Sequence, residues 1–239
     1  MISIKTGASS NYINGFHEIF GDDIDFIRTV ISCSNEVFEI YENELFCGGL
    51  CAIDVSIKTA YNSIKSGAYI YGAFICEHSR GKGLFKKLCD HVCEFYENQF
   101  YDFVMTVPAD NSLFALYNRL GFDRELCGVV SLTGEKTEII LPANTEFYDF
   151  DGSFDTLYFM HIQNDTVIKT YDLFKKTLDG FDIKYISSEG KRGYALFSQG
   201  ALAFASGSFV EYKSARKGLL KHITDFTLPD VLCDILFEI

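Results

Sequence analysis

Apolar and polar positions change period several times along the chain, and each change predicts an element. Residues 16–31, FHEIFGDDIDFIRTVI, space their apolar groups as a helix does, with a break near Gly21. EVFEIYEN then alternates as a strand. LFCGGLCAIDVSI and GAYIYGAFIC follow as two more, rich in aromatic and branched side chains. The helical period returns in GLFKKLCDHVCEFYENQ, where Leu84, Leu88, Val92 and Phe95 share a face that Lys86, Lys87 and Asp90 avoid. YDFVMTV reads as a short buried strand. DNSLFALYNRLGF reads as a second helix, opened by an Asp/Asn/Ser cap and closed by Gly121. ELCGVVSL and KTEIILP flank a Thr-Gly-Glu turn and read as a strand pair.

This order predicts an α/β fold of the mixed-sheet, α+β kind. The early, hairpin-linked strands should be antiparallel, the strand–helix–strand unit parallel, and the helices should cover the faces. Residues 142–155, PANTEFYDFDGSFD, have no clear period and several turn formers, and read as a junction between domains 1–142 and 143–239. Beyond them come helical TVIKTYDLFKKTL, strand-like FDIKYISS, GYALFSQ and ALAFASGSFV, then KGLLKHITDF and VLCDILFEI.

The later elements repeat the order of the earlier ones. At a shift of 135, residues 72–88 and 207–223 share seven identities in 17 ungapped positions: Gly72/Gly207, Phe74/Phe209, Ser79/Ser214, Lys82/Lys217, Gly83/Gly218, Leu84/Leu219 and Lys86/Lys221. Ordinary composition gives about one. The pattern predicts a tandem repeat whose second copy is truncated, because YDFVMTV falls on the final CDILFEI. Within that copy SARKGLLKHI answers SRGKGLFKKL, with Lys-Gly-Leu starting a helix in both. Arg80 has become Ala215 and Gly81 has become Arg216. One active site is therefore expected, in residues 1–142. The truncated sheet leaves an edge expected to pack on the first domain or on a second copy of the chain in a homodimer.

Charge narrows the partners. With 21 basic against 33 acidic residues the net charge is −12, which disfavours nucleic acid and anionic membranes and suits an amine substrate. At 48% hydrophobic residues a sizeable core can form. No apolar run approaches the roughly 18–20 residues of a membrane span, and the first 30 residues lack the pattern of a secretory leader. A cytoplasmic protein is expected. The eight cysteines include Cys47/Cys51 and Cys89/Cys93 at C-x-x-x-C spacing but no C-x-x-C. They read as reduced, mostly buried thiols rather than metal ligands.

The chemistry concentrates at SRGKGLFKKL. A strand, then Arg-Gly-Lys-Gly, then a helix can hold a diphosphate. The first helical turn offers unpaired N–H groups, the helix dipole favours anions, glycine lets the backbone approach, and Arg80 and Lys82 add charge. A basic turn that merely starts a helix is the competing reading of these residues alone. A Walker loop is absent, and a dinucleotide fingerprint would need glycine at Lys86.

SRGKGLFKKL resembles the acetyl-CoA pyrophosphate loop of the GNAT N-acetyltransferases, [QR]-x-x-G-x-[GA]. Arg80, Gly81, Lys82, Gly83 and Leu84 match its first five positions, whereas Phe85 stands at the small sixth position and Glu77 where many members carry proline. LFALYNRLGF, from Leu113 to Phe122, resembles the second signature: a helix with a tyrosine, then Gly-Phe. The two signatures and the element order span residues 1 to about 142. The similarity is nearest to clostridial-type members with an extra C-terminal region, so the resemblance implies a GNAT fold followed by a degenerate, non-catalytic GNAT-like half.

The resemblance also implies a mechanism. Acetyl-CoA is the cosubstrate, its diphosphate on the N–H groups of Gly81 to Leu84 and its pantetheine beside the strand ending near Ile75. The Ile75 N–H would stabilise the oxyanion as a neutral amine of a small molecule or peptide attacks the thioester directly. Tyr117, with an ordinary pKa of about 10, would donate its proton to the departing sulfur. An alkylamine with a pKa near 10.4 must first lose a proton. Asp54, Glu42 and Tyr71 are all candidate bases, none selected by spacing, and the Ile239 carboxylate is another. The alternative is a non-catalytic acyl-CoA-binding or regulatory module on the same fold.

Overall fold

The computed structural model describes residues 1–130, 138–165, 167–206, 211–213, 216–228 and 234–235. It opens on a strand that the hydrophobic pattern does not announce, β1 (Ile2–Thr6). This is a mostly exposed edge strand whose antiparallel register runs from Ile2 opposite Glu42 to Thr6 opposite Phe38. The stretch around Gly21 is two helices. α1 (Ser10–Phe20) is capped by the Ser9 side chain and closed by Gly21 at a left-handed φ of 79°, and α2 (Ile24–Cys33) is capped by Asp23. β2 (Glu36–Glu42), β3 (Leu45–Lys58) and β4 (Ile64–Ile75) follow as the alternation predicts. Next come α3 (Leu84–Asn98), β5 (Phe103–Thr106) and α4 (Phe114–Arg119). Leu84, Leu88 and Val92 of the expected α3 face are buried, joined by Cys89, Cys93 and Tyr96.

The remaining elements are β6 (Arg124–Val130), β7 (Glu138–Ile140), β8 (Glu146–Asp149), α5 (Phe154–Asn164), β9 (Val167–Lys169) and α6 (Tyr171–Thr177). They are followed by β10 (Asp182–Ser188), β11 (Lys191–Ser198), β12 (Ala201–Ala205), β13 (Glu211–Lys213), β14 (Arg216–His222) and β15 (Asp234–Ile235). Among the described residues no helix is long and apolar enough to cross a membrane.

The chain divides into two compact units, and not at 142/143. The first comprises Met1–Val55, Lys65–Arg124 and Leu219–Phe226; the second comprises Ser56–Ile64, Glu125–Gly218 and Thr227–Ile239. In the first unit the strand order is β1-β2-β3-β4-β5-β14. β1 to β3 are antiparallel neighbours, β4 and β5 are parallel, and Leu219–His222 of β14 run antiparallel to β5, Leu219 opposite Thr106 and His222 opposite Phe103. The core between this sheet, α3 and α4 gathers Phe38, Leu50, Ile70, Leu88, Tyr96, Tyr117, Phe122 and Leu219. α1 covers the other face through Tyr12 and Phe16, which pack on Phe74 and Tyr71.

The apparent copy of the loop motif is therefore a strand. The described part of SARKGLLKHI lies in β14, where Leu219 and Leu220 are both buried, and Ser214 and Ala215 lie outside the described residues. A run as short as Gly-Leu-Leu suits helix or strand equally. The unpaired edge of β5, which needs hydrogen-bond partners along its whole length, decides it. A truncated second copy with its own loop and helix is not what these residues form.

In the second unit, β8, β10, β11 and β12 make an antiparallel sheet in the order β12-β11-β10-β8, with β7 and β13 as a separate pair. β7 thus pairs with β13 rather than with β6. Ile139 and Leu141 pack on Ile186, Ala195 and Ala205, which draws β7 to that cluster. The expected junction holds β8 and the start of α5. That helix escapes periodicity because it is apolar nearly all round, with Leu157 and Met160 buried and Phe159 exposed. The stretch read as one helix over 166–178 is β9 followed by α6. One buried polar network lies in this unit. Asp165 accepts from the Tyr194 hydroxyl at 2.6 Å and from His161 Nδ1, and His161 Nε2 accepts the Lys169 N–H at 3.0 Å, which places the imidazole proton on Nδ1. Burial pushes the Asp165 carboxyl up to about 7, against the Tyr194 hydrogen bond and the positive charges of Lys169 and Lys58.

Asp102 fastens β14 to the first unit. Its carbonyl accepts the N–H groups of Ile223 and Thr224, and its carboxylate accepts Lys65 Nζ at 2.9 Å, the Ser66 N–H at 3.1 Å and the Thr224 hydroxyl at 2.6 Å. Burial alone would raise its pKa, but these hydrogen bonds outweigh it and hold the carboxyl below the usual range. A carboxyl lowered on folding contributes stability above its ordinary pKa and loses it as pH falls through the lowered value. Asp102→Asn is expected to cost about 1–2 kcal/mol at pH 7. Thermal melts of the two proteins should converge as pH falls below about 4; a gap that stays constant with pH contradicts this account.

Candidate functional site

The site forms where two parallel strands part. β4 and β5 pair from Gly67 opposite Phe103 to Ile70 opposite Thr106. β5 then stops, two residues before Pro108, which has no N–H to offer a ladder. β4 continues to Ile75, so residues 71–75 have no partner on β5. Two glycines shape this free end. Gly72 takes φ 56°, breaking the pleat; its carbonyl accepts the Tyr12 hydroxyl at 3.1 Å, and a Cβ on it would lie 2.0 Å from the Phe16 ring. Gly48 of β3 takes φ 149°, and a Cβ there would lie 2.2 Å from the Phe74 carbonyl oxygen.

At the root of the opening, Thr106 Oγ1 donates to the Ile70 carbonyl at 3.4 Å. Tyr117 of α4 faces Thr106. Its side chain is only 5% exposed, and burial raises its pKa far above the ordinary value, the nearby Cys89 adding and Thr106 opposing weakly. The phenol is protonated throughout the neutral range. Phe85 and Phe122 meet the Tyr117 ring edge to face at 5.7 and 5.5 Å.

At the outer end of β4 lies the glycine loop. After a 3₁₀ turn (Glu77–Ser79), Arg80 folds back and its Nε donates to the Ile75 carbonyl at 3.1 Å. Gly81 and Gly83 take φ 76° and 72°, and both have open space where a Cβ would stand. Gly83 is the N-cap of α3, and the first bond into the helix runs from the Lys87 N–H to the Gly83 carbonyl at 3.2 Å. Among the described residues, the N–H groups of 81–86 have no backbone partner. Lys82 Nζ meets Glu42 Oε2 at 2.7 Å. A row of open N–H groups at a helix start, with two basic side chains beside it and no Cβ over Gly81 or Gly83, fits a diphosphate.

The structure thus brings Ile75, Arg80, Gly81, Lys82, Gly83 and Leu84 together at one end of the free β4 segment, with Tyr117 at the other. The candidate bases scatter. Glu42 is held by Lys82, which lowers its pKa. Tyr71 lies against Phe16 and Tyr69. Asp54 stands seven residues beyond Cys47, whose carbonyl accepts the Cys76 N–H; that is roughly 20 Å along β3 from the loop end. It sits beside Asn35, Tyr96 and Tyr101, and burial raises its pKa. Ile239 lies outside the described residues. Gly48, Gly72 and Thr106 escape sequence reading, since each matters only through a neighbouring strand or helix. Pro108 after a buried strand was the one local sign of the opening.

No family profile matches the chain, and no curated protein does. Solved structures do. A GCN5-related N-acetyltransferase from Anabaena variabilis ATCC 29413 is 14% identical with a TM-score of 0.63, over 91% of this chain and 72% of that one. A conserved protein from Enterococcus faecalis V583 is 12% identical with a TM-score of 0.57, over 82% of this chain and 54% of that one. Eis1 from Mycobacterium abscessus is 10% identical with a TM-score of 0.56, over 82% and 53%. The chain spans about half the length of the latter two. At these identities the likeness is one of fold: a mixed α/β architecture like that of the GNAT acetyltransferases.

The glycines separate structural from ligand-side roles. Gly48→Ala drives a Cβ into backbone and should cost about 2–4 kcal/mol. Gly81→Ala meets only its φ and should cost about 1 kcal/mol. Chemical denaturation of both variants checks the order, and equal losses would contradict it.

Proposed function

We propose that the chain transfers an acetyl group from acetyl-CoA to a primary amine of a small molecule or peptide, by direct attack. The observation that carries this reading is the unpartnered β4 segment, with a buried, protonated tyrosine at one end and an open N–H loop at the other. Backbone N–H groups of Gly81 to Leu84, with Arg80 and Lys82, hold the diphosphate of the acyl donor. The free edge of β4 offers backbone groups to the amide-bearing pantetheine arm, as a strand would to its neighbour. The free β4 segment supplies a backbone N–H to the oxygen that becomes negative when the amine nitrogen bonds the thioester carbon. Ile75 itself lies at the loop end, so this N–H comes from a residue of 71–75 nearer Tyr117. The C–S bond then breaks, and Tyr117 passes its proton to the departing sulfur and regains one from solvent. The acidic chain draws cationic amines towards it. With Glu42 engaged by Lys82 and Asp54 engaged by Tyr101 and Asn35, the amine proton is released to water.

Calorimetry with acetyl-CoA and with CoA is expected to show binding of both, and no heat at millimolar ligand overturns the reading. A thiol-release assay across polyamines, aminoglycosides, amino acids and peptide amines should find turnover. Binding without turnover would favour a non-catalytic acyl-CoA module. Tyr117→Phe should cut kcat about tenfold or more with little change in acetyl-CoA affinity. An unchanged kcat removes Tyr117 from the reaction.

A further inference from the structure

Tyr117 sits on a helix of only six residues, too short for its own backbone bonds to hold a side chain firmly. Two rings hold it instead. Phe122, wholly buried just past Gly121, approaches with its centroid 5.5 Å away and its plane at 77°. Phe85, the second residue of α3, approaches at 5.7 Å and 76°. Phe85 is also where the loop departs from the small residue of [QR]-x-x-G-x-[GA]. A glycine or alanine there would leave the Tyr117 ring with one of these two aromatic contacts. Phe85 is partly buried against the same core as Tyr117, and its own N–H belongs to the open row of residues 81–86.

We propose that Phe85 is a positioning residue: its ring ties the glycine loop to Tyr117 and sets the orientation of the phenol at the root of the strand opening. The proposal rests on the reading of Tyr117 as the proton donor to sulfur. It makes the departure at the sixth motif position part of how this chain places its acid.

The test compares Phe85→Ala, Phe85→Leu and Phe85→Tyr, each alone and with Tyr117→Phe, in the full chain, with melting curves to confirm folding. An edge-to-face ring contact corresponds to about three- to tenfold in rate. Phe85→Ala and Phe85→Leu should lower kcat by that factor, with the acetyl-CoA KM changed less than about twofold. Phe85→Tyr should restore kcat, and neither loss should appear once Tyr117→Phe is present. A loss of equal size in the Tyr117→Phe background, or an unchanged kcat in folded Phe85→Leu, overturns the proposal. A second readout needs no turnover. In protein labelled with ¹³Cζ-tyrosine, the Tyr117 resonance is assigned by its disappearance in Tyr117→Phe. It should shift in Phe85→Leu, and an unmoved resonance overturns the positioning role. If the unaltered chain turns over no amine at all, the transfer reading fails and this resonance alone decides whether Phe85 sets the ring.

Discussion

Two parallel strands share four residue pairs and then separate, and the first unit is organised around that separation. Each strand ends its pairing for a chemical reason. β5 runs into Pro108, and β4 passes through Gly72, whose left-handed backbone breaks the pleat two residues past the last pair with β5. Left alone, a gap of this kind would collapse. It is propped from one side by α1, whose Phe16 occupies the space a Cβ on Gly72 would need, and from the other by α4, whose Tyr117 stands against Thr106. The opening is thus lined with backbone that has lost its partner, and unsatisfied backbone is what an extended, amide-bearing ligand can satisfy.

The loop at the far end works by absence as much as by presence. Gly81 and Gly83 face open space, and among the described residues no backbone carbonyl accepts the N–H groups between them and α3. The charges nearby are already engaged: Arg80 with the end of β4, and Lys82 with Glu42. Lys82 is thus paired with a carboxylate, whereas Arg80, bonded to a neutral carbonyl, keeps its positive charge. For Lys82 to serve an anion, the Lys82–Glu42 pair would have to reopen. Water screens an ion pair this exposed, so it yields readily.

Much of the first unit was legible along the chain. The α3 face, the three strands before it and the loop itself all follow from local chemistry. The Asp110 cap instead opens a 3₁₀ turn (Asn111–Leu113) ahead of α4, which has no side-chain cap of its own and a C-cap at Leu120, one residue before Gly121. The departures from that local reading have separate causes. GLLKH was assigned by analogy with GLFKK, yet Leu219 and Leu220 fill an empty edge beside β5 that no local pattern reveals. Four of the matched residues, Lys217, Gly218, Leu219 and Lys221, lie in a strand, because a short apolar run takes whichever conformation its neighbours require. β1 was missed for the opposite reason, being an exposed edge with little apolar alternation to detect. α5 was missed because it has no polar face to mark its period. The loop residues and Tyr117 carry local patterns that single them out as candidates. Gly48, Gly72 and Thr106 carry none, since what they do is set by atoms from other elements.

The place of β14 has a consequence for how the protein is made. Lys221 bonds the carbonyl of Leu120 across a sequence separation of 101. Closing a loop that long costs about 4 kcal/mol of chain entropy before any contact rewards it. The edge of β5 is exposed while the intervening residues are synthesised, and the first unit cannot complete its sheet until the segment ending at Phe226 has emerged. Its folding is late and non-local, and its most vulnerable state is the nascent chain that already carries the loop and Tyr117 but still waits for its last strand.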